Sequence, residues 1–248
     1  MIGARALMVA LEKENVKQVF GLPGGANLPM YDELYKSNIR HILVRHEQDA
    51  AHMADGFGRV SRKPGVCFAT SGPGATNLLT GIATAQADSA PMVAVTGQVP
   101  VAMIGKDAFQ ESDIIGMANP AVKYSYQPRT PEEIPEVVKQ GFYIAETGRP
   151  GPVLLDIPKD VQQNDGKFTF PDEVRIPGYH PWTDPDIPSI EKAIELLLSA
   201  EKPIILAGGG VIISSAFAEL QSIAEMLMIP VVTTFKGKGA FPENHPLS

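Results

Sequence analysis

The sequence holds a single cysteine, so no intrachain disulfide can form, and a reducing compartment is the expected setting. That residue, Cys67, sits in the apolar run VCFAT, which predicts a packed rather than a reactive thiol. No apolar stretch approaches the roughly 20 residues that a membrane-spanning helix needs. Basic residues are in deficit: 21 Lys and Arg stand against 28 Asp and Glu, a formal charge of -7, with no basic cluster. A nucleic-acid or anionic-membrane surface is therefore disfavoured. Neither a signal peptide nor a transit peptide is visible, because the first residues, MIGARALMVALEKENVKQVF, enter a helix-then-strand pattern at once. Cytoplasm is the resulting expectation.

What is present is ordinary globular composition, 44% hydrophobic and 20% charged, enough for one large core or two medium domains. Apolar spacing at Ala6, Leu7, Ala10 and Leu11 predicts a first helix, followed by a strand at 17–20. The alternation continues with helix 27–36, strand 41–44, helix 48–61, strand 66–70, helix 75–87 and strand 92–96. After a loop-rich stretch come helix 131–146 and strand 152–156. Apolar strands alternating with helices predict an α/β fold built on a doubly wound parallel sheet. A stretch rich in Pro, Asp, Gln and Asn, 161–188, reads as a linker. A second α/β unit follows, with helix 189–199, strand 203–207, helix 214–227 and strand 230–233. Two strands do not complete a doubly wound sheet, so 189–248 is expected to be the start of a larger domain.

In such sheets, functional loops lie beyond the carboxyl ends of the strands. Three corners fall there: GLPGG (21–25), RHEQ (45–48) and TSGPG (70–74). The stretch HEQDAAH superficially suggests a zinc protease, whose histidines at i and i+4 share a helix face. Here His46 and His52 are six apart, about 600° or 240° net around a helix, and no metal site is expected. Glu47 alone reads as a helix-start residue favoured by the macrodipole. GPG before a small-residue helix is a weak anion or cofactor signal. The long irregular segment 96–113 is uncommon in a compact domain unless it is functional, and Phe109 and Gln110 fit either loop packing or a pocket wall. The triplet Gly208-Gly209-Gly210 after the strand IILA is a tight turn or a partial dinucleotide-type turn.

In their order and spacing, GLPGGANLPMYD, RHEQDAAHMADGFGR, TSGPGATN, TGQVP, IGKDAFQESD and GRPGPVLLDIPKDV resemble the large catalytic subunits of acetolactate synthases (acetohydroxyacid synthases), which are thiamine-diphosphate enzymes. The resemblance runs along the whole chain. It implies a pyrimidine-binding domain at 1–160 and the first part of an FAD-binding central domain at 189–248. It also implies decarboxylation of pyruvate and condensation with a second 2-ketoacid, in branched-chain amino-acid biosynthesis.

Carried over residue by residue, the resemblance gives Glu47 the hydrogen bond to the pyrimidine N1′ that shifts the ring toward its imino form. Gln110 becomes a catalytic-site glutamine, with Phe109, Ala26 and Lys159 around the substrate. Gly24, Gly25, Thr70, Pro73 and Asn77 fall beside thiamine diphosphate. Arg149, Gly208, Gly209, Gly210 and Thr234, with Phe235 as a weaker candidate, match FAD positions. The Mg²⁺ and diphosphate site of the family lies in a third domain that this sequence lacks, so the chain alone is expected neither to bind the cofactor nor to turn over. A homodimer or homotetramer and a small regulatory subunit are implied as partners. Leu22 stands where many relatives have tyrosine, and Lys106 where threonine is usual. The alternatives are another enzyme of the superfamily (pyruvate oxidase or sulfoacetaldehyde acetyltransferase type) and a non-catalytic dimerising half. Retained Glu47 argues against glyoxylate carboligase, which lacks this acid.

Overall fold

The computed structural model describes residues 1–181 and 184–248, and the chain divides into two compact units at that gap in the description, Met1–Trp182 and Thr183–Ser248. The expected linker, 161–188, includes residues 182 and 183, which lie outside the described residues.

The first unit alternates strands and helices. Its strands are β1 (Gln18–Gly21), β2 (Arg40–Leu43), β3 (Gly65–Ala69), β4 (Met92–Gln98), β5 (Tyr124–Tyr126) and β6 (Pro152–Pro158). Its helices are α1 (Gly3–Lys13), α2 (Leu28–Tyr35), α3 (Glu47–Ser61), α4 (Pro73–Asn77), α5 (Leu79–Asp88), α6 (Ile114–Ala118), α7 (Ile134–Glu146) and α8 (Lys159–Gln163). The strands form one parallel sheet in the order β2-β1-β3-β4-β6-β5. The fold is α/β and doubly wound.

Period-two alternation explains the two faces. Val66 and Phe68 of β3, with Val93 and Val95 of β4, pack under α1, α2 and α7 through Leu7, Leu11, Met30, Val138 and Phe142. Cys67 and Ala69, with Met92 and Ala94, face α3 and α5 through Ala50, Ala51, Ala54, Ile82 and Ala85. The second face is built mostly of alanine, so its helices approach closely. At Gly81 a Cβ would lie 2.4 Å from the Ala51 Cβ. Burial pushes the Cys67 thiol up to about 12, which leaves it an inert core group.

The departures from the sequence reading are local. The helix expected over 75–87 is two helices, because Leu78 N–H bonds back to Ala75 O in a tighter turn before α5 begins. The strand β5 was not expected. It is a three-residue, half-buried edge strand, Tyr-Ser-Tyr, too short to show a period.

The second unit holds α9 (Ile187–Ser199), β7 (Ile205–Ala207), α10 (Gly209–Ser214), α11 (Phe217–Leu227) and β8 (Val231–Thr233). β7 and β8 pair in parallel over a small core of Ala207, Ala224, Val231, Ala240 and Phe241. The helix expected over 214–227 is preceded by α10, whose first turn contains Gly209 and Gly210, and the two are separated by Ser215 in a left-handed conformation.

Candidate active site

The order β2-β1-β3 places a topological switch between β1 and β3, where chains leave the sheet in opposite directions and open a crevice. The corners after β1, β2 and β3 all fall at that edge, and the long segment after β4 adjoins them.

Glu47 opens α3, where the helix dipole favours a carboxylate. His46, the residue before it, caps the helix: its ring Nδ1 accepts the Gln48 N–H at 3.1 Å. His52 lies further along the exposed face of α3. Among the described residues no group of three His, Cys, Asp or Glu side chains could hold a metal ion.

The Glu47 side chain is only 7% exposed. Its Oε2 accepts from Asn77 Nδ2 at 2.9 Å, across 30 residues of sequence. Its Oε1 has no hydrogen-bond partner among the described residues. Gly74 keeps that oxygen clear, since a Cβ there would sit 3.0 Å from Glu47 Oε1 and 2.7 Å from Thr70 Cγ2. The arrangement is a carboxyl group tethered by one oxygen and open at the other.

The GGAN turn folds against the same spot. Gly24 N–H donates to Asn27 Oδ1 at 2.7 Å, and Ala26 N–H donates to Thr70 Oγ1 at 3.1 Å. A Cβ at Gly24 would strike Thr70, 2.6 Å from its Cβ, whereas Gly25 is open with nothing within 4 Å. Pro73 is the exposed first residue of α4. Thus Glu47, Asn77, Thr70, Gly24 and Ala26 are brought together. Leu22 contributes its carbonyl, which accepts from Asn27 Nδ2 at 3.4 Å.

Gln110 lies against the third corner through its backbone. It has a left-handed φ of 55°, and a Cβ at Gly72 would lie 2.6 Å from its carbonyl oxygen. Phe109 beside it is 89% exposed. The loop holding both is organised by Glu111, whose carboxylate accepts the Gly105 and Ala108 N–H groups. Those backbone donors hold the Glu111 carboxyl below its usual range. Lys106 and Asp107 are exposed residues of this loop. Lys159 is half-buried at the start of α8, beyond β6 and two strands along the edge from β3.

Arg149 points elsewhere. Its Nε donates to Ser89 Oγ at 2.7 Å and its Nη2 to the Ala87 carbonyl at 3.3 Å, closing the carboxyl end of α5. In the second unit, Gly208 leads from β7 into α10, and a Cβ there would lie 3.9 Å from Thr234 Oγ1. Thr234 itself caps the following turn, accepting from Gly237 N–H at 3.1 Å. Gly209 lies against Lys236, Gly210 is open, and Phe235 is exposed.

Sequence reasoning passed over several polar residues that the structure places at this edge. One that is fully buried is Asp156, the lone acid in the strand text PVLLDIP. Its Oδ1 accepts from Thr96 Oγ1 at 2.6 Å, and its Oδ2 from Gln127 Nε2 at 2.7 Å and Gln98 Nε2 at 3.0 Å. Gln98 Nε2 also donates to the Ser112 carbonyl at 2.9 Å, which ties the end of the Gln110 loop to the sheet. Burial pushes the Asp156 carboxyl up to about 6, with the three hydrogen bonds opposing it. Its stabilising contribution is therefore full below the unfolded value near 4 and is lost as pH rises through about 6. Between pH 4 and pH 8, wild type should lose about 2 kcal/mol relative to Asp156→Asn, read from urea midpoints. A constant difference across that range would contradict the burial effect.

The family described as thiamine pyrophosphate enzyme, N-terminal TPP binding domain, matches residues 1–117, and the central domain of the same enzymes matches 190–248. The chain is 57% identical to the "Probable acetolactate synthase large subunit" of Methanocaldococcus jannaschii, over 100% of this chain and 42% of that protein. It is 52% identical to the acetolactate synthase large subunit of Corynebacterium glutamicum, over 100% of this chain and 40% of that one. To the acetolactate synthase of Arthrospira platensis it is 52% identical, over 99% and 44%. The chain thus spans about two-fifths of the length of the curated relatives it matches.

Proposed function

Because the chain belongs to the thiamine pyrophosphate enzyme family, we propose that it forms the pyrimidine-side half of the active site of an acetolactate synthase large subunit. The substrates on this reading are pyruvate and a second 2-ketoacid. The observation that carries it is Glu47, a buried carboxyl group with Oε2 held by Asn77 and Oε1 left open beside Gly74. That donor set fits an aminopyrimidine nitrogen, which needs one carboxylic oxygen aimed at it and room for a flat ring.

When bound, thiamine diphosphate supplies the electron sink that lets a 2-ketoacid lose carbon dioxide. Glu47 would hold a proton at the ring nitrogen, and Asn77 would keep the carboxyl group from turning away. Gly24, Gly25, Thr70 and Pro73 would line the pyrimidine, with Ala26, Gln110, Phe109 and Lys159 on the substrate side. In the second unit, Gly208–Gly210 and Thr234 would contribute to FAD. Arg149, the remaining FAD candidate, has its side chain engaged at the end of α5. Mg²⁺ and the diphosphate are assigned to residues outside this chain, and a dimeric or tetrameric assembly in the cytoplasm, with a small regulatory subunit, would follow. No helix among the described residues is long and apolar enough to cross a membrane.

Two measurements test the reading. Isothermal titration of thiamine diphosphate into this chain should show only weak binding that Mg²⁺ does not strengthen. Tight, Mg²⁺-dependent binding would refute the assignment of the diphosphate to other residues. A chimera in which this chain replaces the matching part of the Methanocaldococcus jannaschii relative should form acetolactate from pyruvate. A folded chimera that binds the cofactor but turns pyruvate to another product would overturn the proposed reaction.

A further inference from the structure

The geometry points to Gln162 as a positioning residue that clamps the Ala26 peptide, and with it the GGAN turn, at the edge where pyrimidine and substrate are proposed to meet. Its functional purpose rests on the proposed function, whereas its geometry does not.

Gln162 lies near the end of α8 and is 0% exposed. Its Nε2 donates to the Ala26 carbonyl at 2.8 Å, across 136 residues, and to the Ile157 carbonyl at 2.7 Å. Both neighbours are backbone acceptors, so the amide can face them only with its nitrogen. Its Oε1, on the other side, is buried with no partner among the described residues. A buried, unpaired amide oxygen is unfavourable. The side chain is thus placed for its donors, at the expense of its acceptor.

The other side of the same peptide is held as well. Ala26 N–H donates to Thr70 Oγ1, and Gly97 makes room for the Ala26 carbonyl, since a Cβ at 97 would lie 2.4 Å from that oxygen. The bonds between Gly24 and Asn27 close the turn on itself and give it shape without attaching it elsewhere. Attachment of the turn to the opposite parts of the sheet edge therefore runs through Thr70 on one side and Gln162 on the other. Ala26 is only 8% exposed, so its peptide is enclosed and held from both sides.

Hydrogen exchange read by mass spectrometry on this chain, without cofactor, tests the clamp. Gln162→Leu should speed exchange in the segment 23–29 at least tenfold, with strands 65–69 and 92–98 unchanged. Gln162→Glu should recover part of the protection at pH 5, where its protonated carboxyl has one O–H to share between the Ala26 and Ile157 carbonyls, and lose it at pH 9. Rates are compared with wild type at each pH, which removes the intrinsic pH dependence of exchange. Wild-type protection of 23–29 in Gln162→Leu overturns the proposal. Should that variant not fold, protection in Gln162→Glu that does not change between pH 5 and pH 9 overturns it instead. Failure of the proposed function would show in the titrations and the chimera, and would leave these exchange rates as they are.

Discussion

Glu47→Gln, introduced into the chimera that carries this chain in a complete synthase, should reduce acetolactate formation by about 10²–10⁴-fold and leave the fold intact. Glutamine has nearly the same shape, and its single carbonyl oxygen can still accept the Asn77 hydrogen bond that now goes to Oε2. The amide nitrogen then occupies the open position beside Gly74, where it cannot give up or take a proton at a ring nitrogen. Stability should hold because the buried side chain keeps its tether to Asn77. The check is a pair of measurements, the initial rate with pyruvate and the urea midpoint. A variant with near-wild-type rate would remove Glu47 from the chemistry, whereas a large fall in midpoint would make any loss of rate a folding effect.

The second large effect is expected at Gly72. Its φ of 58° with ψ of -122° lies in a region closed to residues with a Cβ, and the added carbon of Gly72→Ala would also meet the Gln110 carbonyl at 2.6 Å. Backbone strain of this kind costs about 1–3 kcal/mol, and the clash adds to it unless the Gln110 loop moves. Two readouts follow: a lower urea midpoint with an unchanged slope, and faster exchange or proteolysis over 105–111. Gly25→Ala is the control, because nothing lies within 4 Å of a Cβ there and its φ is not left-handed. It should change stability by less than about 0.5 kcal/mol. Gly72→Ala with a wild-type midpoint and a protected loop would show that the two corners can separate freely.

Those two sites show what kind of information the sequence carried. The strands VCFA, MVAVT and PVLLDI were legible because both faces of a parallel sheet are buried, which leaves an unbroken apolar text. Tyr124–Tyr126 was not, because an edge strand of three residues lacks a period and half-buried tyrosines also suit a loop. The start of α3 was visible from the charged corner and the small residues after it. That Glu47 should meet Asn77 was not visible in spacing. The resemblance set each beside a pyrimidine, but their hydrogen bond, across 30 residues and a strand, came from the structure. Gln162 and Ala26, 136 residues apart, carried no local signal at all. Asp156 and Glu111 did carry one, a single acid inside an apolar strand and an acid closing a glycine-bearing loop, and only the hydrogen-bonding geometry showed their use.

Glu111 gives the loop an independence that bears on how such a site can change. The described hydrogen bonds of residues 102–111 stay within the loop, with the Glu111 carboxylate as their hub. Among the described residues, the hydrogen bonds that fasten it to the sheet edge lie at its ends, where Val101 N–H meets Asp160 and the Ser112 carbonyl meets Gln98. A segment that closes on its own side chain behaves as a cassette: the side chain of Phe109 at its exposed tip can change while both fasteners stay in place. On the proposed function, substrate preference could then drift through this one insert while the Glu47–Asn77 hydrogen bond stays as it is.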